Sequence, residues 1–199
     1  MDVNEEKAAI RKEIQRLRAA IPAGILSEID KLLPDYIAGL DDRELQSRIR
    51  KAGRIALYRA FKGEVPVERL AEYFMGLGIT CCFPRIENGD MIFYDCKSLA
   101  DSEFERSPMG IKEPLASGKR ADPESIDVVV LPAVAYNEEG VRLGMGGGYY
   151  DRFIGNLGAD RPYLLGICYE FQLCSAVPVT DHDICADFIA VIPEEIYGE

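Results

Sequence analysis

A short, almost uniformly apolar run at residues 127–132 limits the fold more than any other feature of the chain. The run reads Asp-Val-Val-Val-Leu-Pro, and such a strand is typical of a parallel sheet covered by helices on both faces. Residues 54–83 add a β-α-β pattern: a strand at 54–58, an amphipathic helix with Pro66 at its first position, and a strand at 79–83. Strands joined by a crossover helix lie parallel. The sequence therefore predicts an α/β fold whose ligands bind at the carboxyl ends of the strands.

Three helices are predicted before this unit. Apolar residues recur at helical spacing over residues 5–20, with Asn4 as the expected N-cap. Further helices are expected at 27–40, where Pro34 would shorten or kink the helix, and at 41–51, which begins at an Asp-Asp cap. After the β-α-β unit, a tight turn at 88–90 leads into an antiparallel strand, and later strands are expected at 164–169 and 188–192, with a short helix at 170–176. At 199 residues the chain fits a single domain over 1–199.

A glycine-rich segment at residues 142–152 carries the chemistry. It reads Arg-Leu-Gly-Met-Gly-Gly-Gly-Tyr-Tyr-Asp-Arg. Glycine adopts positive φ without penalty and lets backbone N–H groups crowd together, so Gly144, Gly146, Gly147 and Gly148 can form a concave anion site. A helix is predicted at 149–157, and its N-terminus would face the same site. The spacing matches neither a Gly-Lys-Ser/Thr loop nor G-x-G-x-x-G. A phosphate-binding loop is favoured over a flexible turn, because an arginine, two tyrosines and an aspartate stand at fixed offsets around the glycines.

Composition excludes several classes of protein. The net charge of −11 argues against nucleic acid as a partner. Charges separated by more than about 8 Å are largely screened at physiological salt, so the cations that bind an anionic ligand must lie close to it. No apolar run approaches the ~20 residues that cross a bilayer, and the N-terminus has no signal sequence, so a cytoplasmic protein is expected. The six cysteines lack C-x-x-C spacing, so neither zinc nor disulfides are indicated and the thiols should be reduced and mostly buried. His182 is expected to be a loop residue, not a catalyst.

The segment at 142–152 resembles the signature of the 5-formyltetrahydrofolate cyclo-ligase family (methenyltetrahydrofolate synthetases), in which this loop holds ATP. The similarity continues in order through residues 7–11, 64, 83–85, 110–114, 131–136 and 183–187. It implies a three-layer α/β/α sandwich with N-terminal helices and a mostly parallel, Rossmann-like sheet of the sugar-phosphate isomerase and CoA-transferase type. It also implies ATP- and Mg²⁺-dependent closure of 5-formyltetrahydrofolate to 5,10-methenyltetrahydrofolate, through a phosphorylated formyl group. A monomer without nucleic-acid or membrane partners is expected.

The resemblance also assigns site residues. It assigns catalysis to Arg142 and Tyr149. It assigns ATP binding to Lys7, Arg11, Arg142, Gly144, Met145, Gly146, Gly147, Gly148, Tyr149 and Tyr150. It assigns folate binding to Arg59, Phe61, Glu64, Met145, Gly148 and Tyr149, with the Glu64 carboxylate accepting hydrogen bonds from the pterin. Asp151 and Asp187 match positions associated with Mg²⁺, which prefers oxygen ligands.

Alternatives remain open for several of these residues. By sequence alone, Lys7 and Arg11 could form a solvated basic edge with Arg16 and Arg18, and Glu64 could be an exposed loop acid. Some family members carry basic residues inside the loop where this chain has Met145 and Gly147, so the N-terminal cations would carry more of the phosphate charge. Two other functions are possible: a non-catalytic relative that binds nucleotide or folate, and another phosphate-handling enzyme on a similar fold.

Overall fold

The computed structural model describes residues 2–175, 177–178 and 184–197. The α-helices within these ranges are Val3–Ala20 (α1), Ala23–Gly39 (α2), Arg43–Lys51 (α3), Glu68–Gly76 (α4) and Tyr149–Gly155 (α5). The strands are Arg54–Ala56 (β1), Thr80–Glu87 (β2), Asp90–Cys96 (β3), Phe104–Arg106 (β4), Lys112–Pro114 (β5), Lys119–Arg120 (β6), Val128–Leu131 (β7), Ala135–Tyr136 (β8), Arg142–Leu143 (β9), Tyr163–Tyr169 (β10) and Phe188–Ile192 (β11). No helix within the described ranges is both long enough and apolar enough to cross a membrane.

Seven strands form the central sheet, in the order β11-β10-β7-β1-β2-β3-β6. The strands from β11 to β2 are parallel to their neighbours, whereas β3 and β6 pair antiparallel at one edge. The apolar run forms β7, which is buried along its whole length between β1 and β10. The predicted central parallel strand is therefore confirmed.

Helices cover both faces of this sheet. On one face, side chains of α2, α3 and α4 pack against β1, β7 and β10, with Leu33, Leu45 and Phe74 fully buried. On the other face, Ile154 of α5 packs with Phe93 and Leu164. Each such side chain contributes roughly 1.5–3 kcal/mol when it is removed from water. The result is the three-layer α/β/α arrangement with a mostly parallel sheet that the resemblance implied.

Helix α1 does not belong to either layer but packs beside the carboxyl end of β7. Its buried Ile14 contacts Val134 and Leu143 of a small hairpin formed by β8 and β9. Because residues 132–134 directly follow β7, this packing places one face of α1 at the edge where ligands bind in parallel sheets.

Several predicted boundaries were wrong. Helix α1 begins at Val3 after Asp2, whose backbone N–H donates to Glu5 Oε2 at 3.2 Å, so Asn4 is not the N-cap. Pro66 precedes Val67, the N-cap of α4, and is not the first helical residue. Pro34 lies inside α2 and does not shorten it. The short helix expected at 170–176 is a single 3₁₀ turn, Glu170–Gln172. In contrast, the Asp42 cap of α3 is confirmed, since its Oδ1 accepts from Leu45 N–H at 2.7 Å.

Candidate functional site

The glycine loop, residues 144–148, connects β9 to α5 and adopts backbone conformations that only glycine tolerates well. Gly146 has φ of 100° and Gly148 has φ of 64°. A Cβ atom at Gly144 would lie 2.8 Å from Arg142 Nη1, and one at Gly147 would lie 2.8 Å from Tyr149 Cε2. The loop is thus pressed against neighbouring side chains, which explains why glycine occupies these positions.

Arg142 lies beneath the glycine loop and is almost completely buried. Its side chain is 4% exposed, and its Nη2 contacts Asp151 Oδ1 at 2.7 Å. Its Nη1 donates to the carbonyl oxygen of Pro132 at 3.2 Å, and its guanidinium lies 5.6 Å from the ring centroid of Tyr150. These contacts join β9, α5 and the end of β7, so Arg142 braces both ends of the loop. Its catalytic role stays a prediction.

Helix α1 brings Arg11 to the same loop. Arg11 Nε donates to the carbonyl oxygen of Gly144 at 2.9 Å, and the amide of Gln15 contacts the sulfur of Met145 at 3.6 Å. Lys7 lies one helical turn before Arg11 on α1. The N-terminal cations predicted to assist the glycine loop are therefore on the helix that contacts it.

Glu64 lies in the loop after β1, with its side chain 15% exposed. Its Oε2 accepts from Phe61 N–H at 3.0 Å, and its Oε1 is 3.8 Å from Arg18 Nη1. Burial raises the pKa of Glu64, although Arg18 and the Phe61 N–H oppose that shift. Glu64 is thus a partly desolvated carboxylate and not the exposed loop acid of the alternative interpretation.

Tyr150 links the Glu64 region to Arg142. Burial raises the pKa of its phenol, Glu64 raises it further, and Arg142 lowers it, so the phenol interacts electrostatically with both charged groups. Its hydroxyl is buried and has no hydrogen-bond partner among the described residues, as is also true of Tyr169 Oη, Arg18 Nε and Arg142 Nε. A buried unpaired polar atom costs about 1–3 kcal/mol. The Tyr150 hydroxyl is therefore a buried donor that no described residue satisfies.

Two further predicted folate residues, Arg59 and Phe61, lie beside a second hairpin, formed by β4 and β5. The guanidinium of Arg59 is 4.6 Å from the ring centroid of Phe104, and its Nε is 3.8 Å from Glu68 Oε1. Phe61 lies next to Gly110 in the turn of this hairpin. Phe61 and Glu64 are thus in one short loop, whereas Arg59 packs against the hairpin.

The predicted Mg²⁺ ligands are each engaged by an arginine. Asp187 pairs with both terminal nitrogens of Arg161, each at 2.7 Å, and also accepts from Leu164 N–H. Burial tends to raise the pKa of Asp187, but the hydrogen bonds from Arg161 and Leu164 lower it overall. Asp151 is paired with Arg142, and within residues 2–175, 177–178 and 184–197 no group of three or more His, Cys, Asp or Glu could hold a metal ion. These residues therefore do not form a metal centre of protein ligands alone, and the Mg²⁺ assignment remains a prediction. His182 and Asp183 lie outside the described residues.

Two buried polar residues at this edge were not predicted. Arg18 is 3% exposed and donates through Nη2 to the carbonyl oxygen of Ala133. Gln172 is 1% exposed and donates to the carbonyl oxygens of Ala133 and Val134 at 2.9 Å. The helical spacing of Arg18 from Ile14 could have indicated its burial, because residues four apart share a helix face.

Two surface cavities lie apart from these residues. The first, about 390 Å³, is lined by residues of α3 and by Asp127, at the amino-terminal edge of the sheet. The second, about 330 Å³, lies between the end of α1 and the C-terminal residues. Neither is lined by a predicted site residue, so the chemistry is assigned to the cluster at the carboxyl edge and not to these two cavities.

Comparison with known proteins identifies the family. The family model described as the 5-formyltetrahydrofolate cyclo-ligase family matches residues 3–192. The chain belongs to the 5-formyltetrahydrofolate cyclo-ligase family. The predicted family and the predicted class of enzyme, a ligase of folate one-carbon chemistry, are confirmed, and the family implies ATP as a cosubstrate.

Relatives of the cyclo-ligase family match along most of the chain. The 5-formyltetrahydrofolate cyclo-ligase of Haemophilus influenzae is 26% identical, and the alignment covers 90% of this chain and 94% of the relative. The solved 5,10-methenyltetrahydrofolate synthetase of Mycoplasma pneumoniae has a TM-score of 0.70 at 27% identity and covers 95% of this chain and 98% of its own. The corresponding Aquifex aeolicus structure has a TM-score of 0.76 at 28% identity, with 93% and 89% covered. The predicted cyclo-ligase fold is confirmed by these similarities.

Proposed function

We propose that this chain, acting as one domain over residues 1–199, uses ATP to cyclise 5-formyltetrahydrofolate to 5,10-methenyltetrahydrofolate. One observation carries the proposal. Arg11 and Arg142 contact the glycine loop and its flanking helix at the carboxyl edge of the parallel sheet, and Tyr150 interacts with both Arg142 and the partly desolvated Glu64. An anion site beside a carboxylate that can accept N–H groups suits a nucleotide next to a pterin.

The reaction consists of two displacements. The N5-formyl oxygen attacks the γ-phosphorus of ATP and ADP leaves. N10 then attacks the activated formyl carbon, and loss of its proton and of phosphate leaves the methenyl bridge. An amide oxygen is a weak nucleophile and a poor leaving group until it is phosphorylated, so the protein has to align the reactants and neutralise charge on the moving phosphoryl group.

The position of each residue indicates its role in the reaction. The backbone N–H groups of residues 144–148 face the triphosphate, and Arg11 supplies positive charge from α1 beside Gly144. Arg142 holds the loop from below and contributes its charge there. Glu64 accepts hydrogen bonds from the N–H groups at the edge of the pterin, with Phe61 and Arg59 on the same side. Tyr149 begins α5 directly after the loop, where its ring can position the formyl or phosphoryl group.

Several finer predictions form part of this proposal. Mg²⁺ is expected to accompany ATP, because it is usually held by phosphates with one or two carboxylates, and no catalytic step is assigned to it here. A monomeric, cytoplasmic enzyme without nucleic-acid partners is also expected. Omission of Mg²⁺ and a sedimentation measurement test the first two of these expectations.

A direct assay tests the proposed reaction. The protein is incubated with 5-formyltetrahydrofolate, ATP and Mg²⁺, while the methenyl chromophore and ADP are measured together. The expected result is chromophore and ADP in equal amounts, and neither product when the folate is left out. Binding of both substrates without turnover would identify a non-catalytic relative. ADP release that does not depend on the folate would point to another phosphate-handling enzyme.

A further inference from the structure

A buried arginine on α1 lies beside the carboxylate that is proposed to hold the pterin. The side chain of Arg18 is 3% exposed, and a buried charge is unfavourable unless partners compensate for its lost hydration. Its Nη2 donates to the carbonyl oxygen of Ala133, which follows β7. Its Nη1 lies 3.8 Å from Glu64 Oε1, in the loop after β1. Arg18 therefore joins two strand ends at the ligand-binding edge of the sheet.

The contact with Glu64 is electrostatic and not a hydrogen bond. At 3.8 Å, Nη1 is beyond hydrogen-bond distance of Oε1, whereas Oε2 is held by Phe61 N–H at 3.0 Å. One oxygen is thus anchored, and the other is oriented by charge while it can still accept a hydrogen bond from a ligand. A carboxylate that recognises paired N–H groups needs this combination.

Among the described residues, the other titratable groups that interact electrostatically with Glu64 are phenols, which are neutral at ordinary pH. Tyr58, Tyr150 and Tyr169 interact with Glu64 from the end of β1, from α5 and from the end of β10. Desolvation raises the pKa of each phenol. Within the described part of the chain, Arg18 is the cation whose charge opposes the desolvation of Glu64. Removal of that charge should therefore favour the protonated carboxyl group.

We propose that Arg18 is a positioning residue that keeps Glu64 ionised and correctly oriented for the N–H-rich edge of the pterin, an inference that rests on the proposed function of Glu64. The residue acts through Glu64 and touches neither substrate. It lies about two helical turns after Arg11, on the same face of α1. One helix therefore contacts the glycine loop through Arg11 and the pterin carboxylate through Arg18.

The first experiment follows the Glu64 carboxyl group itself and needs no substrate. The protein is labelled with ¹³C-glutamate, and the signal that disappears in Glu64→Gln is titrated in the wild type, in Arg18→Gln and in Arg18→Lys. Arg18→Gln retains N–H donors for Ala133 but lacks the charge. In this variant the carboxyl group should titrate about 1–2 pH units higher than in the wild type, and Arg18→Lys should restore most of the difference. Arg16→Gln, on the exposed side of α1, should leave the titration unchanged.

The second experiment follows the kinetics of the same variants. At a pH below the pKa of Glu64 in both proteins, Arg18→Gln should raise KM for 5-formyltetrahydrofolate about tenfold, the equivalent of one pKa unit, with KM for ATP changed far less. The folate KM should recover as the pH is raised, and Arg18→Gln should have no further effect in a Glu64→Gln background.

The outcomes separate this inference from the proposed function. An unchanged Glu64 titration in Arg18→Gln, or equal increases in both KM values together with a lower melting temperature, would overturn the positioning role. A shifted titration combined with a folate KM that is insensitive to Glu64→Gln would also overturn it, since the pair would then be structural. If the wild type showed no cyclisation, the proposed function would fail by itself, whereas the titration would still report on the Arg18–Glu64 pair.

Discussion

Replacement of Arg142 by methionine tests whether this residue braces the glycine loop. Methionine retains much of the apolar volume but removes the ion pair with Asp151 and the hydrogen bond to Pro132. Breaking a buried pair by removing one partner typically costs 3–5 kcal/mol. The Asp151 side chain is 27% exposed, so water would stabilise part of the remaining charge, and we expect about 2–3 kcal/mol. The lost bond to the Pro132 carbonyl adds about 1 kcal/mol.

The predicted loss of stability is therefore about 3–4 kcal/mol, and for a chain of this length it corresponds to a fall in Tm of about 6–16 °C. Urea unfolding of the wild type, Arg142→Met, Asp151→Asn and the double variant measures the loss and the coupling between the partners. The double variant should be less destabilised than the sum of the two single variants. Arg16→Met, which removes an exposed pair with Glu13, should leave Tm unchanged.

The same variants separate the brace from a catalytic contribution. At a temperature well below its Tm, folded Arg142→Met should lose about 10²–10³ in turnover, as expected when a donor to developing charge is removed. An unfolding free energy equal to that of the wild type would refute the brace. Near-normal turnover in the folded variant would remove Arg142 from the mechanism, whatever its stability.

Three further predictions follow from individual contacts. Gly166→Ala in β10 should lower the unfolding free energy, measured in urea, by about 1–3 kcal/mol, because the added Cβ would lie 2.8 Å from Cζ of the buried Tyr136 ring. An unchanged unfolding midpoint would show that the ring can move away. Arg11→Lys should raise KM for ATP roughly tenfold, as a charged hydrogen bond is lost; a similar change in Arg16→Lys, the matched variant on the exposed face, would contradict a specific role. Finally, burial raises the pKa of Glu64 above 4.5, so the native state is favoured while Glu64 is protonated. Relative to Glu64→Gln, the wild type should lose unfolding free energy as the pH rises from 4.5 through the folded pKa, and parallel pH profiles would contradict this.

The sheet could be predicted from the sequence because its signals are local. The apolar run that became β7 indicates a strand covered on both faces, and the crossover helix α4 determines that β1 and β2 are parallel. Helix ends were predicted less well. The cap at Asp2 competes with Asn4 only two positions later, and propensity alone does not separate them.

The contacts within the site depend on side chains from distant parts of the chain and could not be predicted in the same way. Arg16 and Arg18 look alike in sequence, yet Arg16 faces solvent and Arg18 is buried at the edge of the sheet. The partners of Asp151 and Asp187 depend on the path of the glycine loop and on Arg161, which precedes β10. The resemblance predicted residues of the site, but it did not indicate that Asp151 and Asp187 each pair with an arginine.

The distribution of charge explains how an acidic chain can handle two anionic substrates. The net charge is −11, but Arg11, Arg18 and Arg142 reach the carboxyl edge of the sheet from α1 and β9. Arg18 and Arg142 are nearly inaccessible to solvent, where screening is weaker than at the surface. A guanidinium retains its charge when it is buried, unlike an amine, whose pKa falls. Lysine at positions 18 and 142 should therefore weaken substrate binding more at high pH than at neutral pH, because a buried amine would lose its proton. Arginine keeps its positive charge across that range.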